Sequence, residues 1–315
     1  MKTVDVIIPT CRPDADFRKL VERLCRQTVL PGNILIINTE KRLWDDAPFD
    51  KEKLGTEARQ CGVHLDVRHI TKEEFDHGGT RNTAASFSKA DIVLFMTQDA
   101  LPADRYLIER LLEAFEKDEK IAAAYARQLP RKDCGAIERF TRKFNYGEEG
   151  CIKSAEDLPR LGIKTYFCSN VCAAYDRDAY EKLGGFKKKT IFNEDMIFAA
   201  GLIKNGFRIA YEPQAKVIHS HHYSAVQQFR RNFDMAVSQA QNPEIFEGLP
   251  SEGEGIKLVK ETAAYLCRIK KAYLLPKLVW QSAWKYAGYL LGKNYCRLPQ
   301  KIVERCSMNK NFWKN

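Results

Sequence analysis

The stretch ADIVLFMTQDA, residues 90–100, decides the reading of this chain. Five apolar residues run without alternation from Ile92 to Met96 and stop at the polar corner Thr97-Gln98-Asp99. A short continuous apolar run bounded by polar residues is the pattern of a strand buried on both faces, as in a helix-covered parallel sheet. In open α/β sheets ligands bind outside the carboxyl ends of the strands. A strand over 91–97 therefore delivers one acid, Asp99, to the edge where a ligand would be met. A plainer reading makes Asp99 the N-cap of a helix starting near Pro102.

Outward from this strand the same alternation repeats. DVIIPT (5–10) is a short β-branched run closed by Pro9, and NILIINT (33–39) and HLDVRHI (64–70) predict a second and third strand. Between the first two, Phe17, Leu20, Val21, Leu24 and Cys25 fall on one face of a helix. GGTRNTAASFSKA (78–90) predicts a helix entered through a glycine pair, 105–117 another helix, and IAAAYA (121–126) a further strand. Strands alternating with helices argue for a parallel sheet with helices on both faces. Regularity fails over 130–165, which reads as loops. TYFCSNVCAAY (165–175) predicts a long strand and EDMIFAAGLIKNG (194–206) a helix stopped by Gly206. FRIAY and AKVIHSH predict two more strands, and the Gly-, Pro- and Glu-rich 243–255 a linker. The expected organisation is a domain over 1–242, that linker, and a tail over 256–315.

Composition narrows the class. With 315 residues, 44% hydrophobic and 29% charged, the chain is an ordinary globular protein with room for one large domain and an appendage. Its start, MKTVDVIIPT, reads as a first strand and not as a signal peptide. Ten cysteines with no CxxC pair read as reduced thiols of a cytoplasmic protein. The net charge of +10 is local. Residues 256–315 hold 13 Lys and Arg against Glu261 and Glu304, which leaves 38 basic and 39 acidic residues in the first 255. Basic residues interleaved with aliphatics, and no reader motif, argue against nucleic acid as a partner.

The residues just past the predicted strands are Pro9, Thr10 and Arg12; Asn38, Thr39 and Glu40; FDHGGTRN; and Gln98 with Asp99. Gly78 and Gly79 at a helix start can offer N–H groups to an anion, and Arg81 can add a bidentate phosphate contact. A helix-capping glycine pair beside a surface arginine is the plainer alternative. Glu194 and Asp195 open a helix, where acids are often only dipole-favoured. His219 and His221 alternate at a strand end and point to one side, with His222 opposite. A carboxylate and an imidazole at the ends of different strands suit a hard or borderline divalent ion.

Taken in order, VIIPT, HGGTRN, TQDA, FCSNVCAAYDRDAYEKLGGF, NEDMIFAAGLIKNGF and AKVIHSHHYS resemble the family-2 inverting glycosyltransferases of the GT-A fold. Among them the match is closest to bacterial rhamnosyltransferases that use dTDP-β-L-rhamnose, and it covers about residues 3–240. The resemblance implies a mixed, mostly parallel α/β sheet flanked by helices, with a C-terminal helical extension. It implies Mg²⁺ or Mn²⁺ bridging the donor diphosphate. The family's Asp-x-Asp is reduced here to Thr97-Gln98-Asp99, so Asp99 with His219 or His221 would hold the ion. It further places the base on Asp195, with Glu194 orienting substrate. Pro9, Thr10, Asn38 and Asp66 would face base and ribose, and Arg127, Gln128, Ser169 and Asn170 the saccharide acceptor.

From Pro276 the tail reads PKLVWQSAWKYAGYLLGK, a basic amphipathic helix with Trp and Tyr. Interrupted by lysines, it is not a spanning helix; it suits the anionic cytoplasmic leaflet, where a polyprenyl-diphosphate-linked acceptor would be held. The other reading packs it on its own domain or in a homodimer. The expected function is therefore rhamnosyl transfer in cell-surface polysaccharide synthesis by a peripheral enzyme of the inner membrane face. A UDP-hexose or UDP-N-acetylhexosamine donor, or a non-catalytic membrane-peripheral sugar-binding protein, are the rivals.

Overall fold

The computed structural model describes residues 2–221, 223–249 and 252–314, so His222 lies outside the described residues. The chain forms two compact units: one runs to Leu129 and adds Tyr146–Lys188 and Glu194–His219; the other is Pro130–Asn145, Lys189–Asn193 and the chain from Ser220 onward.

The first unit is built on a sheet of β1 (Val4–Cys11), β2 (Asn33–Thr39), β3 (His64–Ile70), β4 (Ile92–Met96), β5 (Leu101–Pro102), β6 (Ile121–Leu129), β7 (Cys151–Lys153), β8 (Cys172–Asp176) and β9 (Arg208–Ile218). The order is β3-β2-β1-β4-β8-β6-β9-β5, with β7 on β9. Strands β3, β2, β1 and β4 are parallel, β8 runs antiparallel between β4 and β6, and β6 pairs parallel with β9. The sheet is mixed, with parallel pairing broken where β8 enters. At that seam Tyr175 faces Ala123 and Tyr125 faces Ala173, so large side chains meet small ones across the strands.

Strand β4 is buried throughout, as its unbroken apolar run requires. Ile92, Leu94 and Met96 join the core that packs Phe17, Leu20, Val21 and Leu24 on one face. Phe95 points to the other face, into an aromatic cluster with Tyr175 (5.7 Å between ring centroids) and Phe186 (5.0 Å). Phe198 of the helix Glu194–Lys204 packs on Tyr175 (5.6 Å) and Tyr180 (5.0 Å). This cluster seats the first turn of that helix, with its two acids, against the sheet.

Four expectations are corrected. Residues 130–165 are not all loop: Ile137, Phe140, Thr141 and Phe144 share one face of the helix Ala136–Asn145, sparse among charges, and Phe140 stacks on Tyr265 at 4.8 Å. The long strand over 165–175 is mostly turn. A tight helix over Gly162–Tyr166 and a Ser169–Cys172 turn leave only Cys172–Asp176 extended. FRIAY and AKVIHSH form one strand, β9, carried past Pro213 by a register shift opposite Ala126 and Arg127. The division at 242 and the linker over 243–255 also move: the first unit ends at His219, a short helix Pro243–Phe246 buries Phe246, and a longer helix runs from Glu252 to Arg268. Pro250 and Ser251 fall outside the described residues.

In the second unit the helix Leu275–Lys293 lies on Ala225–Ala240. Gly288 and Gly292 make the approach possible: a Cβ on either would stand 2.2 Å from the Phe229 carbonyl oxygen or 2.3 Å from that of Phe233. The outward side of the same helix is apolar, with Val279, Trp280, Tyr286, Leu290 and Leu291 exposed. Among the described residues no helix is long and apolar enough to cross a membrane. All ten cysteines are free.

Candidate active site

The exit of β4 is shaped by its own polar corner. The Gln98 side chain accepts from the Cys11 backbone N–H (2.9 Å) and donates to the Cys11 carbonyl (3.1 Å), tying the ends of β4 and β1 together. Gln98 is thereby a structural clasp, and its expected place against the donor is corrected. A Thr97–Ala100 turn then carries the chain into β5, which pairs with the end of β9 (Leu101 with Ile218). Asp99 caps no helix, because the next one starts only at Leu107. The β5–β9 pairing instead sets Asp99 beside His219, with Oδ2 3.4 Å from Nε2. His219 is 2% exposed. That separation is long for a charge-assisted hydrogen bond (about 2.7–2.9 Å). It is close to that of neighbouring oxygen and nitrogen ligands about 2.1 Å from an octahedral ion, which stand about 3 Å apart. The pair therefore fits a hard divalent cation. His221 belongs to the second unit, where its ring stacks on Tyr223 at 4.6 Å.

Glu194 and Asp195 occupy opposite electrostatic states. Glu194 is buried, 3.4 Å from the Arg81 guanidinium, and accepts from the Asn170 side chain (3.3 Å). Burial alone would raise its pKa, but Arg81, His77 and the Asn170 bond outweigh that and hold it below the usual carboxylate value. Asp195 accepts from the backbone N–H groups of Asn170 (3.1 Å) and Met196 (2.8 Å). Its pKa is pushed up to about 7, first by burial and then by the neighbouring Glu194 charge. One acid fixed as an anion beside another poised near neutrality is an arrangement for moving a proton.

The glycine pair and Arg81 are used differently from expectation. The Asp76 carboxylate caps the Gly79 N–H at 2.5 Å, so an acid sits where an anion would bind. A Cβ on Gly78 would stand 2.1 Å from the Lys187 carbonyl oxygen, so the close approach is to the chain's own backbone. Arg81 is 6% exposed and spends itself on Glu194 and the His77 carbonyl (2.8 Å). HGGTRN thus builds the support of Glu194 and not a phosphate cradle.

At the carboxyl edge of β1 and β2, the Thr10 hydroxyl donates to Asn38 (3.2 Å), and Asn38 bonds the Glu40 carbonyl and His69. Pro9 pairs with Ile37 one register step inward. Arg12 and Glu40 both take left-handed backbone (φ 53° and 67°), the strain expected where strands end at a functional rim. A cavity of about 780 Å³ opens there, lined by Arg12, Asp14, Glu40, Arg42, Asp46 and Lys72 among others. Asp66 is not at this edge: it pairs with Leu35, three residues before His69, the residue level with Asn38, and binds Arg68 at 3.0 Å. His69 was missed because β3 is half-buried without alternation and its register could not be read; Arg42, on the helix Lys41–Asp45, and Lys72, just past β3, line the cavity without belonging to any motif.

Of the expected acceptor residues, Arg127 pairs with exposed Glu148 (3.1 Å). Gln128 and Asn170, 2% and 3% exposed, are buried supports: Gln128 of His219, and Asn170 of both acids. Ser169 accepts from Gln128 at 3.2 Å.

The mixed sheet thus sets a carboxylate past β4 beside a histidine past β9, with two acids opening the helix Glu194–Lys204, and comparison with known proteins defines the chain as a glycosyltransferase. The chain belongs to glycosyl transferase family 2, whose model matches residues 5–184. It is 43% identical over 320 residues to the O-antigen chain rhamnosyltransferase WbaN of Salmonella anatum, covering 100% of this chain and 97% of that one. It is 35% identical over 316 residues to the O-antigen chain rhamnosyltransferase RfbN of Salmonella typhimurium, covering 99% and 96%. In fold it is similar to the mannosyltransferase PcManGT from Pyrobaculum calidifontis in complex with GDP-Man and Mn²⁺, with a TM-score of 0.59 and 14% identity over 94% of this chain and 88% of that one.

Proposed function

We propose that this glycosyltransferase moves L-rhamnose, with inversion, from dTDP-β-L-rhamnose to a hydroxyl of a polyprenyl-diphosphate-linked saccharide in O-antigen synthesis. The observation that carries the reading is whole-length identity, at 35% and 43%, with two O-antigen chain rhamnosyltransferases. Asp195 is the base: raised to about 7, it takes the acceptor proton as the hydroxyl attacks. Glu194, kept anionic by Arg81, holds the acceptor in line. Asp99 and His219 would hold Mg²⁺ or Mn²⁺; when bound, the ion neutralises charge on the departing diphosphate. Thr10, Asn38, Arg12 and Pro9 face base and ribose from the β1–β2 edge, and Arg127 and Ser169 lie on the acceptor side.

The tail docks on the inner membrane face. The 13 basic residues of 256–315 and the exposed Val279, Trp280, Tyr286, Leu290 and Leu291 support this: positive charge and exposed apolar and aromatic side chains in one segment suit an anionic leaflet. A thermal-shift series with dTDP, UDP and GDP, with and without Mn²⁺, tests the donor. Binding at about 100 Kd adds roughly 2.7 kcal/mol of apparent stability, and stabilisation by UDP but not dTDP would refute the rhamnose donor.

A further inference from the structure

The first unit contains a buried polar chain that ends on His219. Gln128 lies on β6, 2% exposed, and its Oε1 stands 3.0 Å from His219 Nδ1. Its Nε2 donates to the Tyr146 hydroxyl at 2.5 Å and to Ser169 Oγ at 3.2 Å. Tyr146 is itself buried, its ring packed on Phe167 (5.7 Å) and Tyr211 (6.4 Å).

We propose that Gln128 sets the tautomer of His219, keeping the proton on Nδ1 so that Nε2 presents its lone pair toward Asp99. Gln128 is then a positioning residue for the cation site, and this role rests on the reading of Asp99 and His219 as cation ligands. An amide oxygen can only accept, so His219 Nδ1 must be the N–H partner. Nε2 is left as the basic nitrogen, 3.4 Å from a carboxylate oxygen. A divalent cation would accept an electron pair from each across that distance. With the amide turned over, its NH₂ would meet Nδ1, the ring proton would move to Nε2, and Asp99 and His219 would form an ordinary hydrogen bond. Gln128 thereby decides between a ligand pair and a hydrogen-bonded pair, as the outer partner of a metal-binding histidine commonly does.

Long-range ¹⁵N–¹H correlation on protein labelled at histidine, with the His219 ring assigned by its loss in His219→Ala, should show Nδ1 protonated and Nε2 bare. Gln128→Leu should shift the ring toward the Nε2–H form and weaken binding of Mn²⁺ titrated alone, read by the free-ion EPR signal, by about 10–100-fold. Gln128→Glu, which keeps an oxygen acceptor in place, should retain the Nδ1–H form. A wild-type ring protonated at Nε2, or a Gln128→Leu variant unchanged in both readouts, overturns the proposal. Mn²⁺ binding unaffected by His219→Ala overturns the cation reading, and the positioning role with it, separately from the tautomer that the spectrum reports.

Discussion

Replacing Asp195 with asparagine should damage catalysis and move the variant's stability, relative to wild type, in its favour as pH rises. In the folded chain the Asp195 carboxyl titrates at about 7 against 3.8 for an unperturbed aspartate, raised by burial and by Glu194. A pKa raised by folding contributes stability that is fully present below about 4 and is lost as pH rises through about 7. At about 1.4 kcal/mol per pH unit, wild type should lose roughly 2–3 kcal/mol from this group between pH 5 and pH 8. The asparagine side chain does not titrate. It keeps one oxygen where Asp195 accepts from both Asn170 and Met196, an offset of about 1–3 kcal/mol that does not change with pH. The gap between variant and wild type, measured by urea unfolding at each pH, should therefore move in the variant's favour by about 2–3 kcal/mol from pH 5 to pH 8. Over the same range the variant's turnover should be about 10²–10⁴-fold below wild type, as loss of a general base costs. Parallel stability curves would show that Asp195 is not held neutral by its surroundings, and the case for a poised base would fall.

Wild-type turnover should rise with pH through about 7 as Asp195 ionises; a flat profile from pH 5 to 8 would place the base elsewhere. Asp99→Ala and His219→Ala should each abolish stimulation of nucleotide binding by Mn²⁺ in calorimetry, while Asp195→Asn leaves it intact. Gly288→Val, forcing a side chain to within 2.2 Å of the Phe229 carbonyl, should cost about 2–3 kcal/mol in chemical denaturation. Trp280→Glu with Leu290→Glu, both on the exposed side, should cut co-sedimentation with anionic vesicles while transfer to a water-soluble acceptor persists. Equal sedimentation would remove the membrane claim and leave the catalytic one.

What the sequence made legible follows from how each residue is used. Strand β4 could be read because a strand buried on both faces must be apolar throughout, and Asp99 stood out as the acid at its end. Asp195 was reached through the resemblance, since an acid in a first helical turn has an ordinary explanation. What stayed hidden depends on partners distant in sequence. Arg81 and Glu194 are 113 positions apart, and only the fold turns a presumed phosphate ligand into the counter-charge of a neighbouring acid. Gln128, a polar residue ending an alanine-rich strand, looks like an exposed acceptor contact until its amide is seen against His219. Asp66 was misplaced because a half-buried edge strand gives no alternation from which to set register. The helix Ala136–Asn145 was missed because its apolar face is narrow and is covered by a helix more than a hundred residues later.

The central claim is the transfer itself. Purified protein given dTDP-β-L-rhamnose, Mn²⁺ and a polyprenyl-diphosphate-linked saccharide should release dTDP and yield an α-L-rhamnosyl product, its inverted anomer read by NMR, and Asp195→Asn should not. Transfer from a UDP-sugar in place of dTDP-rhamnose, or a product that retains the donor's β configuration, would contradict the account.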